Sequence, residues 1–413
     1  MHPDKEGRAI SGPLDGVRVL ELGQVIAGTF PGMLMADLGA EVIKVEAPRG
    51  DLGRNPQIAH LRGESALFLA FNRGKKSTVV DLKSEAGLGV FYDLVKKADV
   101  VVDNFRPGVL ERMRIDHEAL SKHNPRVVTC SITGFGRRGP QRDLPSFDLI
   151  HQAMSGLLSV TGPREGPPAR VGIALADIGT PMFALHGILA ALLNRERTGR
   201  GSRVDVSMFE SMVFLHTYDA VLYLNGGEQP RAWGTGHAHH VPWQAFATRD
   251  GQVVVATREE AFWVNFCAAV GAPQLASDPR FATNLDRIAH RQELIPILEA
   301  RMRERTTADW LQVFFSRQVP AAPVNDLAHA LREPALVENG GIVDVPYEPL
   351  GGLRMLADPI RATGAETSYG PPPRLGEHTR EVLAGIAGYS QQTIAGLESE
   401  GAVWDAATGR VRA

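Results

Sequence analysis

The residue best placed to do covalent chemistry is Asp177, in the stretch GPPARVGIALADIGTPMF, which runs on into ILAALLNRERTGRG and SRVDVSM. Its neighbours Ala174, Leu175, Ala176 and Ile178 offer no charge to neutralise it, and Gly172 and Gly179 let backbone approach closely. A carboxylate in such surroundings must be met by amide N–H groups or by a ligand. The apolar pattern predicts a helix over 180–194, and the amides at its start would favour the ionised form, the form that attacks an acyl carbon. Two readings stay open on these residues alone. Asp177 can cap the helix, because Asp before an apolar-periodic run is a common start signal, or it can be a nucleophile.

Other chemically suggestive residues carry less. Gly23 and Gly28 in LGQVIAGTF follow a β-type run but do not complete the GxGxxG pattern for a pyrophosphate, and no Walker A sequence occurs, which argues against nicotinamide, flavin and nucleoside triphosphates. The segment LNGGEQPRAWGTGHAHHVPW is a Gly, Pro and His-rich connection of the kind that joins domains or closes over a site. His237, His239 and His240 within it invite a metal, yet no carboxylate or cysteine stands beside them, so none is expected. The two cysteines, Cys130 and Cys267, lie far apart in apolar stretches and read as buried thiols of a reducing compartment.

The elements that must position these residues follow from length and patterning. At 413 residues the chain exceeds one ordinary core, and its net charge of −3 gives no reason to expect nucleic acid or a membrane surface. The polar N-terminal MHPDKEGRAISG lacks an apolar signal core and no apolar run approaches a membrane span, so a cytoplasmic protein is expected. In the first third, VRVLEL, VIKV, DVVVD and RVVTCSI alternate with the helical patterns PGMLMADLG and EAGLGVFYDLVKKA, which predicts a parallel sheet covered by helices. A hairpin turning at Asp250-Gly251 and three helical runs then predict a smaller α+β domain over 227–331. The large α/β domain, Rossmann-like, is thus discontinuous, over 1–226 and 332–413.

Motifs across nearly the whole length carry a resemblance. LDGVRVLELGQVIAGTFPGMLMADLGAEVIKVEAPRGD, FNRGKKSTVVDLK, ADVVVDNFRPGVLERM, NPRVVTCSITGFGRRGP, FDLIHQAMSGLLSVTG, the Asp177 segment, RTGRGSRVDVSM, VPWQAFATRDG, VPAAPVND and RLGEHTREVL occur in order. In these the chain resembles the family III CoA-transferases, a group that includes formyl-CoA:oxalate and carnitine CoA-transferases together with the α-methylacyl-CoA racemases. The resemblance implies that Asp177 is the nucleophile of a ping-pong transfer through an aspartyl anhydride and an aspartyl-CoA thioester. CoA would be substrate and product rather than a tightly bound cofactor, and the partners an acyl-CoA such as succinyl-CoA and a small carboxylic acid. It further implies an interlaced homodimer.

Carried over by position, Val80, Asp81, Leu82, Lys83, Asn104, Phe105, Arg106 and Arg112 would line the CoA nucleotide, and Ser146, Phe147 and Asp148 the pantetheine end. The charges suit phosphates and the apolar walls suit adenine. Lys75 and Lys76 are further candidates, or else a solvated basic face. Gly234, Gly236 and His237 fall where relatives carry a mobile glycine loop, whose N–H groups would hold the oxyanion. Two departures stand out. A CoA-contacting arginine of the formyl-CoA enzymes is Ala47 here, leaving Arg49 or Arg54 to substitute, and a glutamine near Gly28 is Ile26, which disfavours oxalate as acceptor. The alternatives are an acyl-CoA racemase, which needs a histidine where Phe147 stands, and a non-catalytic CoA-binding protein.

Overall fold

The computed structural model describes residues 12–57, 59–361 and 368–406, so most of the polar N-terminal segment lies outside the described residues. Two compact units divide the chain: Met1–Leu157 with Val171–Ala220 and Asn339–Ala413, and Leu158–Arg170 with Val221–Glu338.

The first unit is built on the expected β-branched runs. Strands β1 (Arg18–Glu21), β2 (Glu41–Glu46), β3 (Lys75–Val80), β4 (Val100–Asp103), β5 (Val128–Thr133) and β6 (Arg203–Ser207) form a parallel sheet in the order β3-β2-β1-β4-β5-β6. The short strand Val403–Trp404 closes the β3 edge antiparallel. Successive residues on a strand face opposite sides: Val19, Val42 and Val100 join one core, Leu20, Ile43 and Val101 the other. Both faces are covered, the first by α1 (Phe30–Asp37) and the second by α2 (Glu85–Val95) together with the C-terminal helices Thr379–Gly385 and Gln391–Ser399. Because β2 and β3 lie on one side of β1 and β4 on the other, the strand order reverses between β1 and β4. In open α/β sheets, the crevice beyond the carboxyl ends of such strands is where ligands bind.

Three charged residues on adjacent strands organise that end of the sheet. Glu21, Lys44 and Lys75 are buried, and both ammonium groups reach the one carboxylate: Lys44 Nζ lies 3.0 Å from Glu21 Oε1 and Lys75 Nζ 2.8 Å from Oε2. Lys44 also meets Asp51 at 2.7 Å and donates to the Gly23 carbonyl, while Lys75 donates to the Thr29 carbonyl and to Asn72. Lys75 is therefore buried rather than part of a solvated face, while Lys76, partly exposed, pairs with Glu41 and Glu381.

The second unit carries the expected hairpin, β7 (Trp243–Ala247) against β8 (Gln252–Ala256), with Ala321–Pro323 as a third antiparallel strand. Helices α3 (Glu260–Ala269), α4 (Arg291–Met302) and α5 (Thr307–Ser316) pack their Trp263, Phe266, Leu294, Leu298, Trp310 and Phe314 into its core. Phe246 is buried in that core, and both cysteines are buried, Cys130 in the first unit and Cys267 here.

Replacing Glu21 by Gln would leave two buried ammonium groups without their shared counter-charge. Glu21→Gln is expected to cost about 3–5 kcal/mol of stability in urea unfolding; a loss below about 1 kcal/mol would show that the network contributes little.

Candidate active site

The crevice at the reversal point is a cavity of about 160 Å³, bounded by Gly23 and Gln24 after β1, Ala47, Arg49 and Gly50 after β2, Val80, Asp81, Leu82 and Lys83 at the end of β3, and Phe105 after β4. Its walls are set by local hydrogen bonds. Asp51 Oδ1 accepts from the N–H groups of Gly53 and Val25 at 2.7 and 2.9 Å, and holds Val25 in the left-handed region (φ 64°), a costly state for a β-branched residue. Glu46 accepts from the Asp51 N–H and from Arg54, whose guanidinium also stacks on Phe68. Arg54 is thereby committed to Glu46, which leaves Arg49 as the basic side chain near Ala47. Arg49 and Lys83 are exposed at the cavity, and neither forms an ion pair among the described residues.

Not every residue carried over for the nucleotide lines this cavity. Asn104 uses both ends of its amide on the Gln24 backbone, accepting from the N–H at 3.0 Å and donating to the carbonyl at 3.1 Å. A Cβ on Gly28 would sit 2.5 Å from that side chain, which is why glycine is required there. Arg106 and Arg112 are exposed outside the cavity lining.

Around Asp177 the helix begins earlier than its sequence suggests, spanning Leu175–Thr198 (α6). Gly-Thr-Pro at 179–181 reads as a cap followed by a first-turn proline, but Pro181 lies inside the helix and Asp177 sits within the first turn. Capping falls to another carboxylate. Asp148, in the first turn of the helix Asp148–Met154 (α7), accepts the Ala176 N–H at 2.8 Å through Oδ1 and the Gln152 amide at 2.8 Å through Oδ2. Gln152 in turn accepts the Val171 N–H at 2.9 Å. Asp177 itself is half-buried and has no hydrogen bond among the described residues. The helix start does not dominate its titration: burial, then the Asp148 charge, raise its carboxyl to about 6.

Ser146 packs its Oγ where a Cβ on Gly134 would be, and Phe147, the residue before α7, is 73% exposed. His151, one turn into α7, is fully buried, and neither ring nitrogen has a hydrogen-bond partner. Burial lowers its pKa, so it stays neutral.

In the second unit, the N–H groups of Gly234, Gly236 and His237 are all engaged, donating to the carbonyls of Gly162, Trp233 and Trp243 at 2.8, 2.9 and 2.9 Å. An oxyanion would find these donors only after the segment rearranges. The His237 ring stacks on Trp243 with centroids 5.0 Å apart, and among the described residues no His, Cys, Asp or Glu group is arranged to hold a metal.

Residues 14–379 match the model of CoA-transferase family III. The chain belongs to that family. It is 38% identical over 393 residues to the succinyl-CoA:glutarate CoA-transferase of Mus musculus, covering 95% of this chain and 90% of the relative. It is 37% identical over 373 residues to the acetyl-CoA:oxalate CoA-transferase of Acetobacter aceti, covering 89% and 94%. A CAIB/BAIF family protein from Brucella suis superimposes with a TM-score of 0.82 at 35% identity, covering 91% of this chain and all of that one. The chain is therefore a CoA-transferase with the α/β architecture of that group.

In this CoA-transferase the positioning residues that sequence reasoning passed over are Asp51 and Gln152. Each had a local signal. Asp51-Leu-Gly53 is the spacing of an Asx turn, and Gln152 stands four residues after Asp148 on one helix face.

Because the folded-state pKa of Asp177 lies above its unfolded value, the folded protein holds the extra proton between about pH 4 and 6, and stability falls as pH rises through that window. Asp177→Asn is expected to be more stable than the natural protein at pH 7.5 by about 1–2 kcal/mol, with the gap narrowing as pH falls below about 6 and closing by about pH 4. Thermal melts across pH measure this, and a gap that does not depend on pH would contradict it.

Proposed function

We propose that the enzyme moves CoA from a succinyl-CoA-like donor to a small dicarboxylic acid, with Asp177 as the nucleophile. One observation carries the reading: a partly dry carboxylate held at the start of a helix, unengaged by hydrogen bonds because Asp148 does the capping, and raised toward neutrality so that its ionised form is reactive. The Asp177 oxygen attacks the thioester carbonyl, the C–S bond breaks, and CoA leaves as thiolate. The thiolate then attacks the Asp177 carbonyl, expelling the donor acid and leaving an aspartyl-CoA thioester. An acceptor carboxylate attacks that carbonyl and expels the CoA thiolate, leaving a second anhydride, and the thiolate then attacks the acceptor's carbonyl to form the new acyl-CoA and release the Asp177 carboxylate. Acyl activation is kept throughout provided water stays out, so no other energy source is needed.

Arg49 and Lys83 would meet the CoA phosphates and Phe105 the adenine, with Val80, Asp81 and Leu82 as backbone floor. Rearrangement of the Gly234–His237 segment would release its N–H groups for the oxyanion. The dicarboxylate class rests on relatives named for glutarate, mesaconate and D-citramalate transfer. A homodimer would cover the large apolar side chains left exposed, among them Phe147, Phe214, Tyr218, Val221 and Leu224. Buried thiols suit the cytoplasm, and among the described residues the one helix long and apolar enough to span a membrane, α6, contributes Ala184, Ile188 and Ala191 to the core. Racemisation is disfavoured because Phe147 cannot carry a proton.

Rapid quenching after mixing with acyl-CoAs, followed by mass analysis of the Asp177 peptide, tests the route. A CoA or acyl adduct is expected on the natural protein and none on Asp177→Ala, whose turnover should fall by at least about 10³-fold. CoA binding without an adduct from any donor would refute the covalent route. In the pH profile of kcat/KM, activity should be lost as pH falls through about 6 as Asp177 protonates. In Asp148→Asn the acid limb should move to lower pH, and an unmoved limb would mean another group titrates.

A further inference from the structure

A cavity of about 560 Å³ within the first unit shares no wall residue with the crevice at the reversal point. Its walls come from Phe30 and Met33 of α1, from Leu69 and Ala70 of the helix Ala66–Phe71, and from the strand Leu353–Leu356 with the residues that follow it. Ile178, in the first turn of α6, belongs to the same wall. The volume is that of a small-molecule site, whereas packed interiors keep few voids larger than a water molecule. The function proposed above uses none of these residues.

Three charged side chains interrupt the apolar lining, Arg73, Arg354 and Asp358. Arg73 and Asp358 are both 3% exposed, and they differ in what they have left to offer. Arg73 donates from Nε and Nη2 to the two oxygens of Asp37, at 2.9 and 2.6 Å, and from Nη1 to the Leu356 carbonyl. Asp358 is held in place by its neighbours: Oδ1 accepts the Ile360 N–H at 2.8 Å, and its own N–H donates to Tyr369 Oη at 3.1 Å. Its Oδ2 is buried and has no hydrogen-bond partner among the described residues. The cations nearby are directed elsewhere. Arg354 meets Asp344 at 3.4 Å, and Arg361 donates to the main-chain carbonyls of Asp358, Ile360, Asn339 and Gly340. A buried carboxylate oxygen without a donor is costly. Because a carboxylate accepts and cannot donate, its complement is an N–H or O–H group, and a second carboxylate is excluded.

We propose that this cavity binds an apolar molecule bearing one hydrogen-bond donor, an alcohol, amide or amine, whose O–H or N–H is accepted by Asp358 Oδ2. The inference does not depend on Asp177 being the nucleophile. An occupant would pack on Ile178, and so against the helical turn that carries Asp177.

Calorimetric titration of the whole protein with 4-phenylbutan-1-ol and with its methyl ether tests the site, because methylation removes the donor and keeps the apolar body. The alcohol is expected to bind about tenfold or more tightly than the ether. Asp358→Asn can present an amide N–H where the oxygen stood, and should bring the two probes within about twofold of each other. Ala70 is an exposed wall residue, so Ala70→Trp should fold, and by filling the cavity should weaken the alcohol by about tenfold or more. Melting curves verify both variants, and should Asp358→Asn not fold, the probe pair and Ala70→Trp decide. Equal affinity for the two probes, no binding of either, or alcohol binding that Ala70→Trp leaves unchanged would each overturn the proposal. Binding that appears only at dilutions where sedimentation finds single chains would assign the cavity to a second copy of the chain and overturn it likewise.

Discussion

Two lysines sharing one buried glutamate tie together three adjacent strands of the sheet. Glu21 alone cannot neutralise both Lys44 and Lys75, and the two ammonium groups fare differently. Lys44 has Asp51 and Glu46 as further anions and keeps a raised pKa, whereas Lys75, beside Lys44 and fully buried, is pushed down to about 8. The arrangement persists because each lysine also donates to backbone that must stay in place: Lys44 to the Gly23 carbonyl after β1 and Lys75 to the Thr29 carbonyl before α1. Asp51, drawn in by Lys44, fixes Val25 and Gly53, and so the rim of the crevice follows from a charge balance beneath it. Such networks serve geometry more than stability.

A second division of labour separates the roles of the two carboxylates near the start of α6. Asp148 accepts one hydrogen bond on each oxygen, from the Ala176 N–H and the Gln152 amide, and stands where it raises the pKa of Asp177. One acid supplies structure and field, while the other keeps its carboxylate free of hydrogen bonds among the described residues. The environment, not the residue type, assigns the roles.

Much of this was legible in the sequence. The β-branched runs placed β1, β2, β4 and β5, because strands buried on both faces read as continuous apolar segments. Asp177 stood out through its uncharged neighbours, and Val80 to Lys83 and Phe105 do meet at one cavity. Failures arose where distant residues decide. The start of α6 was misplaced because its cap comes from a side chain 28 residues away, invisible to local pattern, while Pro181 imitates a first-turn signal. Lys75 looked like a surface base in GKKSTVV, yet strand alternation turns it inward onto Glu21. Asn104 was read as a ligand contact but is bound to Gln24 across 80 residues.

The edge of the sheet at β3 bears on how the chain is made. Strand β3 is capped by Val403–Trp404, and the N–H of Val79 donates to Thr379 across 300 residues of sequence. During synthesis this edge therefore waits for partners that are made about 300 residues later. An unpaired β-branched edge is a template for association with other chains. The growing polypeptide thus has a long window in which a holding chaperone, or the pace at which those later residues are made, decides between native closure and aggregation.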